Sequence, residues 1–291
     1  MKNSLIVITG PTASGKTDLA IQVAKKWNTE IISADSRQVF KGMEIGSAFP
    51  SPEQLSEVKH HFIGELELTE KFSAGDFAQE AQKRIKTLFN NHEKVVVVGG
   101  SGLYIKALLD GMDELPPVLD SVRNQLNEEL QKNGLAVLTD ELKNVDPVYY
   151  EQVDKNNPQR IIRALEIYRT TGLPFSSFRS GKKESVFPYT LYAIDLPREE
   201  LYQRINQRAD FMMKQGFLEE VKRLKSYRTH NALNTVGYKE LLDYLDGQMS
   251  LEQSIEKLKQ HTRNFAKRQL TYIRHQLDAR WINPNSWELD K

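Results

Sequence analysis

The sequence predicts an α/β fold in which a parallel sheet is covered by helices on both faces. Short apolar runs end at glycine-rich or polar turns at residues 5–9, 30–34 and 95–98, and strands that are apolar on both faces are typical of buried parallel sheets. Residues 18–26, which follow the first run, carry apolar side chains at helical spacing. Strands that alternate with helices in this way indicate a layered α/β protein.

Composition and charge restrict the classes of protein to consider. The 291 residues suffice for one large domain or two unequal ones. A net charge of +1 provides no overall field for nucleic acid, so a basic surface must come from local clustering. The chain has no cysteine, which excludes disulfides, thiolate catalysis and cysteine-ligated zinc. The apolar run at residues 5–9 is too short for a secretion signal or a membrane span, so we expect a cytoplasmic protein.

The middle of the chain differs from the two ends in its composition and in its pattern of apolar residues. Residues 113–187 are polar and helical without a strong strand signal, which predicts a helical insertion domain. Residues 1–112 and 188–291 are then expected to form the core, with further strands at 189–194 and 280–282 and C-terminal helices. Inside the insertion, Asn157 and Pro158 predict a helix start, and Gly172 predicts its end.

A glycine-rich segment after the first strand matches the phosphate-loop pattern G-x-x-x-x-G-K-[ST] at every fixed position. In such a loop, backbone N–H groups and the following helix N-terminus face phosphate oxygens. The lysine adds a charge, and the last hydroxyl usually ligates Mg²⁺. We therefore expect a P-loop NTPase-like core that binds a diphosphate or nucleotide. The candidate binding residues are Gly10, Pro11, Thr12, Ala13, Ser14, Gly15, Lys16 and Thr17.

A second polar segment, "SADSRQVF", follows the second strand. Asp35 is expected at the carboxyl edge of the sheet, where ligands bind in such folds. A carboxylate there suits an Mg²⁺ ligand or a general base, and it equally suits a cap on the next element. Ser36, Arg37 and Gln38 add donors and acceptors that suit the edge of a nucleobase.

Seven blocks of the chain resemble, in order and spacing, those of bacterial tRNA dimethylallyltransferases, from about residue 5 to 282. The blocks are "GPTASGKT", "SADSRQVF", "VVVVGGSGLYIKALLDG", "NPQRIIRALEIYRTTG", "RINQRADFMMKQGFLEEV", "TVGYKE" and "TRNFAKRQLTYIRH". That family resembles small P-loop kinases in its core but transfers no phosphoryl group. The resemblance implies a prenyltransferase that moves the dimethylallyl group of dimethylallyl diphosphate, with Mg²⁺, to N6 of the adenosine 3′-adjacent to the anticodon.

The resemblance also assigns roles at the reacting centre. Asp35 corresponds to the general base, while Lys16 and Thr17 surround the leaving diphosphate. Arg208 corresponds to an arginine that helps expel it. On the residues alone, Arg204 and Arg208 fit equally well a solvated helix face with i,i+4 partners. Relatives usually carry lysine where this chain has Phe49, so one possible contact to the phosphate is missing here.

Contacts to the anticodon stem–loop of tRNA are expected from several segments. By resemblance, they include the 35–38 loop and Ser101, where relatives mostly carry threonine. The insertion is expected to add Arg123, Gln159, Arg160, Ile161, Ile162 and Arg163. On the C-terminal helix, the apolar spacing of Leu258, Ala266 and Ile273 indicates a core face. A basic stripe there favours RNA phosphate contacts over a merely soluble surface. The stripe consists of Arg263, Lys267 and Arg274, with Arg268 nearby, and the candidate tRNA contacts are Arg263, Lys267 and Arg268.

Two other enzyme classes use the same loop. A small-molecule P-loop kinase would need a phosphoryl-acceptor pocket, and an adenylate isopentenyltransferase would use a free nucleotide. Both leave the basic segments without a role, and a non-catalytic RNA-binding protein leaves the phosphate loop unexplained. The chain lacks the Asp-rich "DDxxD" segment of isoprenoid synthases. Any Mg²⁺ is therefore expected on Thr17, the diphosphate and water. The expected protein is a monomer with no membrane partner.

Overall fold

The computed structural model describes residues 3–179, 181, 184–284 and 286–287. Its strands are β1 (Ser4–Thr9), β2 (Ile31–Ser33), β3 (His60–His61), β4 (Lys94–Gly99), β5 (Tyr189–Ile194) and β6 (Arg280–Ile282). Five of them fall at the runs that the sequence predicts. The two-residue strand β3 was not predicted, because it is too short to show a periodicity.

Helices connect the strands and extend the chain beyond them. Between β1 and the middle segment lie α1 (Lys16–Lys26), α2 (Pro52–Glu57), α3 (Ala74–Leu88) and α4 (Gly102–Asp110). The middle segment contains α5 (Asp120–Asn133), α6 (Leu135–Val145), α7 (Pro147–Tyr150), α8 (Pro158–Thr171) and a 3₁₀ turn at Phe175–Phe178. The last part contains α9 (Arg198–Lys214), α10 (Phe217–Leu224), α11 (Tyr238–Leu245), α12 (Leu251–Gln276) and 3₁₀ turns at Lys225–Tyr227 and Asn231–Leu233.

Within the described residues, six strands form one sheet in the order β3-β2-β4-β1-β5-β6, and every neighbouring pair is parallel. The predicted α/β class with a parallel core sheet is therefore confirmed. Because all strands run in one direction, the loops after β1, β2 and β4 leave the sheet at the same edge. These are the three glycine-rich or polar segments that the sequence analysis singled out, so the topology brings them together.

Alternate side chains of the central strands fill two cores, one on each face of the sheet. Leu5 and Val7 of β1 belong to one cluster, and Ile6 and Ile8 belong to the other. The period-two alternation of a strand produces this division. Helices α3 and α4 contribute to the first cluster and α1 to the second, which is why the strands are apolar on both faces.

Helix α12 joins the core through a single face. It begins with a reciprocal capping box between Ser250 and Gln253. Leu258, Ala266 and Ile273 are buried, as their spacing predicts. In the part of the chain that the structure describes, neither this helix nor any other combines the length and apolar character needed to cross a membrane.

The chain divides into two compact units, one spanning Met112–Lys183 and the other formed by the rest of the chain. The smaller unit overlaps the predicted insertion and has its own core, which includes Leu126, Leu138 and Leu165. Helix α8 within it begins and ends where the sequence predicts. The Asn157 side chain accepts the N–H of Arg160, and the chain leaves the helix at Gly172 in the left-handed region, with φ of 74°.

Candidate active site

The segment from Gly10 to Thr17 comprises the turn between β1 and α1 and the first two residues of α1. Ala13 and Gly15 have φ of 62° and 82°, in the left-handed region, and helix α1 starts directly afterwards at Lys16. These dihedral angles fold the backbone tightly at the helix N-terminus, whose first N–H groups have no partner within the helix. The turn therefore has the form of an anion-binding loop.

Two cationic side chains form hydrogen bonds with this loop. Lys16 donates from Nζ to the Pro11 carbonyl at 3.2 Å, and Arg208 on α9 donates to Thr12 Oγ1 at 3.1 Å. Desolvation by the surrounding protein lowers the pKa of Lys16 to about 8; Asp35 opposes this shift and Arg208 adds to it. Desolvation also lowers the pKa of Arg208, against the attraction of Asp35. Both cations are thus partly buried beside the phosphate loop and line the same cavity.

The neighbouring arginine on α9 has a different partner. Arg204 forms an ion pair with Glu200 one turn earlier, at 2.7 Å. The sequence alone did not distinguish Arg204 from Arg208, since both lie on one helical face. The structure separates them, because Arg208 alone is hydrogen bonded to the phosphate loop.

Asp35 begins the turn that follows β2. Its Oδ1 atom accepts the backbone N–H of Arg37 at 2.9 Å and that of Gln38 at 3.4 Å. No described residue donates a hydrogen bond to its Oδ2 atom. The capping alternative is thus observed for Oδ1. The role of Asp35 in chemistry stays a prediction, for which Oδ2 has no competing donor among the described residues.

The rest of the Asp35 turn is fastened to its surroundings. The N–H of Ser36 donates to Ser101 Oγ at 2.9 Å, which joins the loops after β2 and β4. Arg37 donates to the Asn231 carbonyl at 2.9 Å, and desolvation lowers its pKa while Asp35 opposes the shift. The Gln38 amide forms hydrogen bonds inside the protein. The turn is therefore rigidly placed, with its carboxylate at a defined position.

A cavity of about 630 Å³ connects these segments at the sheet edge. The predicted site residues that line it are Thr12, Lys16, Thr17, Asp35, Ser36, Arg37, Gln38, Ser101, Arg208 and Arg268. Its volume lies in the range of small-molecule sites. The structure therefore places the phosphate loop, the Asp35 turn and part of the C-terminal helix around one space.

Gln269 on α12 is a buried polar residue that sequence reasoning missed. Its Oε1 atom accepts the N–H of Thr12, and its Nε2 atom donates to the Gly100 carbonyl, both at 2.9 Å. One side chain thus links the phosphate loop to the turn after β4. The helical spacing of α12 puts Gln269 on its buried side, and this was the available signal. Spacing alone does not show which distant group a buried amide contacts.

Glycines at the end of β4 and at the start of α4 serve close packing. A Cβ atom at Gly99 would clash with the backbone of Ala34, and one at Gly102 would clash with the Tyr272 ring. Glycine is therefore required at these positions for the close approach of one part of the protein to another. Such packing lets α12 and the Asp35 turn approach the sheet edge.

The basic residues of α12 differ in their surroundings. Arg263 donates to Asn206 Oδ1 at 2.7 Å, whereas Lys267 is exposed. Arg268 lies over the Phe265 ring at 5.9 Å and lines the cavity. Lys259, on the same helix, is paired with Asp210 at 2.9 Å, so its charge is neutralised locally.

The smaller unit contains the remaining predicted RNA contacts, and it requires one correction. Ile161 and Ile162 were expected to contact tRNA, but their side chains belong to the core of this unit, with exposures of 0% and 7%. They occupy the apolar face of α8, so they are withdrawn as side-chain contacts. Gln159 and Arg160 are exposed on the same helix.

Two further arginines of this unit share a single carboxylate. Glu166 is fully buried and accepts hydrogen bonds from Arg123 through both oxygens, and from Arg163 at 3.2 Å. Arg123 keeps 54% and Arg163 keeps 38% of its side chain exposed. Each guanidinium is therefore anchored at one end while the other side remains accessible to solvent.

The fold and the cavity together define a P-loop-type protein in which the loop, two cations and a carboxylate line one space. A family model described as "IPP transferase" matches residues 38–276. The chain is 48% identical over 283 residues to the tRNA dimethylallyltransferase of Christiangramia forsetii, covering 97% of this chain and 94% of that protein. It is 45% identical over 281 residues to that of Cytophaga hutchinsonii, covering 96% and 92%. The chain belongs to the IPP transferase family.

Solved structures agree with this assignment. The tRNA isopentenylpyrophosphate transferase of Bacillus halodurans matches with a TM-score of 0.72 and 35% identity, over 97% of this chain and 90% of that one. A eukaryotic dimethylallyltransferase acting on tRNA matches with a TM-score of 0.81 and 27% identity, over 97% and 74%. The predicted family is confirmed.

Proposed function

We propose that this enzyme transfers the dimethylallyl group of dimethylallyl diphosphate to N6 of the adenosine 3′-adjacent to the anticodon in tRNA, releasing diphosphate. The observation that carries this proposal is the single cavity that Lys16, Arg208 and Asp35 all line. A cationic site for a leaving diphosphate and a carboxylate for an incoming amine are what such a transfer requires. The relatives described above are named for this activity.

The phosphate loop holds the leaving group in this proposal. When the allylic C1–O bond breaks, the bonding electrons pass to the diphosphate, and negative charge grows there. The loop amides, Lys16 and Arg208 stabilise that charge. The partial burial of Lys16 and Arg208 strengthens the interaction, because the effective dielectric around them is lower than in water. The planar guanidinium of Arg208 suits two phosphate oxygens at once.

Asp35 serves the nucleophile. The N6 lone pair of adenine is delocalised into the ring, so the amine attacks weakly unless its proton is removed as the N6–C1 bond forms. We assign this proton to Asp35 Oδ2, since Oδ1 is occupied by the backbone N–H groups of Arg37 and Gln38. The adenosine has to leave its base stack to reach the cavity.

We propose Mg²⁺ as the metal, with Thr17 as its protein ligand. Thr17 lines the cavity beside Lys16, and its hydroxyl has no hydrogen-bond partner among the described residues. The described residues also contain no group of three or more His, Cys, Asp or Glu side chains suited to a metal. A hard oxygen donor beside a diphosphate fits Mg²⁺, with phosphate oxygens and water as the other ligands. When bound, the ion would neutralise charge on the leaving group.

RNA recognition is proposed to combine base and phosphate contacts. The 35–38 turn would contact the acceptor base, and Ser101 would contact the backbone. Phosphate contacts are assigned to Arg268, Lys267 and Arg263 on α12. In the smaller unit they are assigned to Arg123, Gln159, Arg160 and Arg163. We further propose that the enzyme works as a monomer in the cytoplasm, where its tRNA substrate is present.

The alternatives make different demands on the cavity. A small-molecule P-loop kinase needs ATP as donor, and an adenylate isopentenyltransferase needs a free nucleotide as acceptor. Neither gives the exposed cations of α12 and α8 a substrate to contact. The match to tRNA-modifying relatives over 97% of the chain favours neither of them.

A transfer assay tests the proposal. The protein is incubated with labelled dimethylallyl diphosphate and Mg²⁺, with unmodified tRNA, AMP or ATP as the acceptor. We expect label in the tRNA, at the adenosine beside the anticodon. Label in the nucleotide alone would overturn the tRNA assignment. Phosphate transfer from ATP without prenyl transfer would restore the kinase.

A further inference from the structure

Glu220 on α10 is a fully buried carboxylate outside the catalytic groups described above. Its Oε2 atom accepts the N–H of Ile45 at 2.8 Å, and its Oε1 atom accepts the N–H of Gly46 at 2.9 Å and the Tyr238 hydroxyl at 2.7 Å. It forms no ion pair with any described residue. Burying a carboxylate without a cation is costly, and these three donors offset that cost.

The surroundings of this carboxylate are built for it. Tyr238 is fully buried, and burial together with the Glu220 charge raises the pKa of its hydroxyl, so the hydroxyl keeps its proton and donates. The rings of Phe217 and Tyr238 pack edge to face at 5.1 Å. A Cβ atom at Gly46 would clash with both rings. Only glycine therefore brings its N–H close enough to the carboxylate.

The two backbone donors belong to a tight loop, residues 43–49. The Ser47 N–H and hydroxyl both donate to the Met43 carbonyl, at 3.0 and 2.6 Å. The Phe49 N–H donates to the Glu44 carbonyl at 2.9 Å, and Ala48 adopts a left-handed φ of 49°. Loop 43–49 is thus well defined, and Glu220 fixes its first half.

Loop 43–49 is joined in turn to the Asp35 turn. The Gln38 amide donates to the Ala48 carbonyl at 2.7 Å and to the Ser47 carbonyl at 3.3 Å, while its oxygen accepts the Ser33 hydroxyl at 3.0 Å. Ala48, Ser47 and Asp35 all line the cavity. A continuous set of hydrogen bonds therefore runs from Glu220 through the loop and Gln38 to the turn that carries the base.

We propose that Glu220 is a positioning residue for the transfer reaction. Together with Tyr238 it fixes loop 43–49 as one wall of the cavity beside Asp35, against which the acceptor adenine is oriented. It contacts no substrate itself, and it acts on the acceptor side of the cavity and not on the phosphate loop. This inference rests on the proposed function, since it concerns the orientation of that acceptor base.

The main test is Glu220→Gln, which keeps the size of the side chain. Its NH₂ group faces backbone N–H donors, so the loop has to shift. Misplacement on the scale of an ångström lowers turnover by about 10- to 100-fold. We expect a loss of this size in kcat at saturating tRNA. The Kd for dimethylallyl diphosphate, measured without RNA, should stay within about twofold of wild type, because the phosphate loop is untouched.

Glu219→Gln is the matched control. Glu219 is the adjacent residue on α10, is 61% exposed, and pairs only at 3.5 Å with Lys222. It should leave both quantities unchanged. Tyr238→Phe removes one donor without changing core volume, and it should reduce kcat by a smaller factor with the same unchanged diphosphate Kd. It also serves as the deciding variant if Glu220→Gln does not fold, as judged by thermal unfolding.

The outcomes separate the inference from the function on which it rests. A folded Glu220→Gln enzyme with wild-type kcat, or Tyr238→Phe with wild-type kcat if the first variant does not fold, overturns the positioning role. So does a loss of diphosphate affinity as large as the loss of turnover, which would indicate general loosening. Failure of the wild-type protein to modify tRNA would instead overturn the proposed function.

Discussion

We expect the charge of Lys16 to make the affinity for dimethylallyl diphosphate depend on pH within an accessible range. Desolvation lowers the pKa of this lysine from 10.5 to about 8, with Asp35 opposing the shift and Arg208 adding to it. Below pH 8 the free enzyme presents an ammonium group to the phosphate loop. Above pH 8 it presents a neutral amine, so binding of the anion has to take up a proton. Affinity therefore falls as the pH rises through 8.

The size of the effect follows from the same values. With a pKa of about 8, roughly 90% of Lys16 is charged at pH 7 and roughly 10% at pH 9. A bound diphosphate that restored the pKa to its ordinary value would keep the lysine charged at both. The dissociation constant should then rise by about tenfold from pH 7 to pH 9, with an uptake of about 0.9 proton on binding at pH 9.

Calorimetry with dimethylallyl diphosphate, without RNA and in buffers of different ionisation enthalpy, measures both the dissociation constant and the proton uptake. Lys16→Arg is the control, because its guanidinium stays charged over this range and the ligand's own ionisation is the same for both proteins. Wild-type binding that follows the pH dependence of Lys16→Arg would refute the reasoning. So would tighter wild-type binding at pH 9 than at pH 7.

Three further predictions address the other parts of the site. Asp35→Asn keeps the acceptor for the Arg37 N–H but removes the base, so single-turnover transfer should fall by about 10²- to 10⁴-fold. The affinity for tRNA in filter binding should stay near wild type. Lost tRNA binding with normal turnover would contradict the assignment. Gln269→Leu leaves the Thr12 N–H and the Gly100 carbonyl without a partner, at a cost of about 1–3 kcal/mol each. It should therefore lower the unfolding temperature far more than Gln260→Leu, a control at an exposed position. Equal effects of the two substitutions would contradict the linking role of Gln269. Lys267→Ala should weaken tRNA binding and reduce the slope of log affinity against log salt by about one, whereas Lys86→Ala on α3 should not; an unchanged slope would place RNA elsewhere.

Several elements could be predicted because their signals are local in the chain. The apolar run before Gly10 and the apolar spacing of residues 18–26 each depend on neighbours within one or two turns. The capped helix at Asn157 and Gly172 is another such case. In each, the residues that determine the backbone are the residues that adopt it. Five of the six described strands, the phosphate loop and α8 accordingly appear where they were expected.

The pairing of distant side chains could not be predicted in this way. Arg204 and Arg208 are equivalent by helical spacing, and only the approach of α9 to Thr12 distinguishes them. The predicted contact strip took continuous residues of α8, whereas a helix turns successive residues to different faces, and the side chains of Ile161 and Ile162 are buried in the core. That the exposed residues of this strip contact tRNA stays a prediction.

The sequence by itself determined the parallel α/β core, the phosphate loop and the carboxylate at the end of β2, since these follow from periodicity and from turn residues at fixed spacing. Only the tertiary structure decided what surrounds them. It brought Gln269 to Thr12 and Glu220 to loop 43–49 across 257 and 174 positions of the chain. The physical reason is that a buried polar group must find a partner wherever the packed chain supplies one, and no local pattern records which distant backbone group that is.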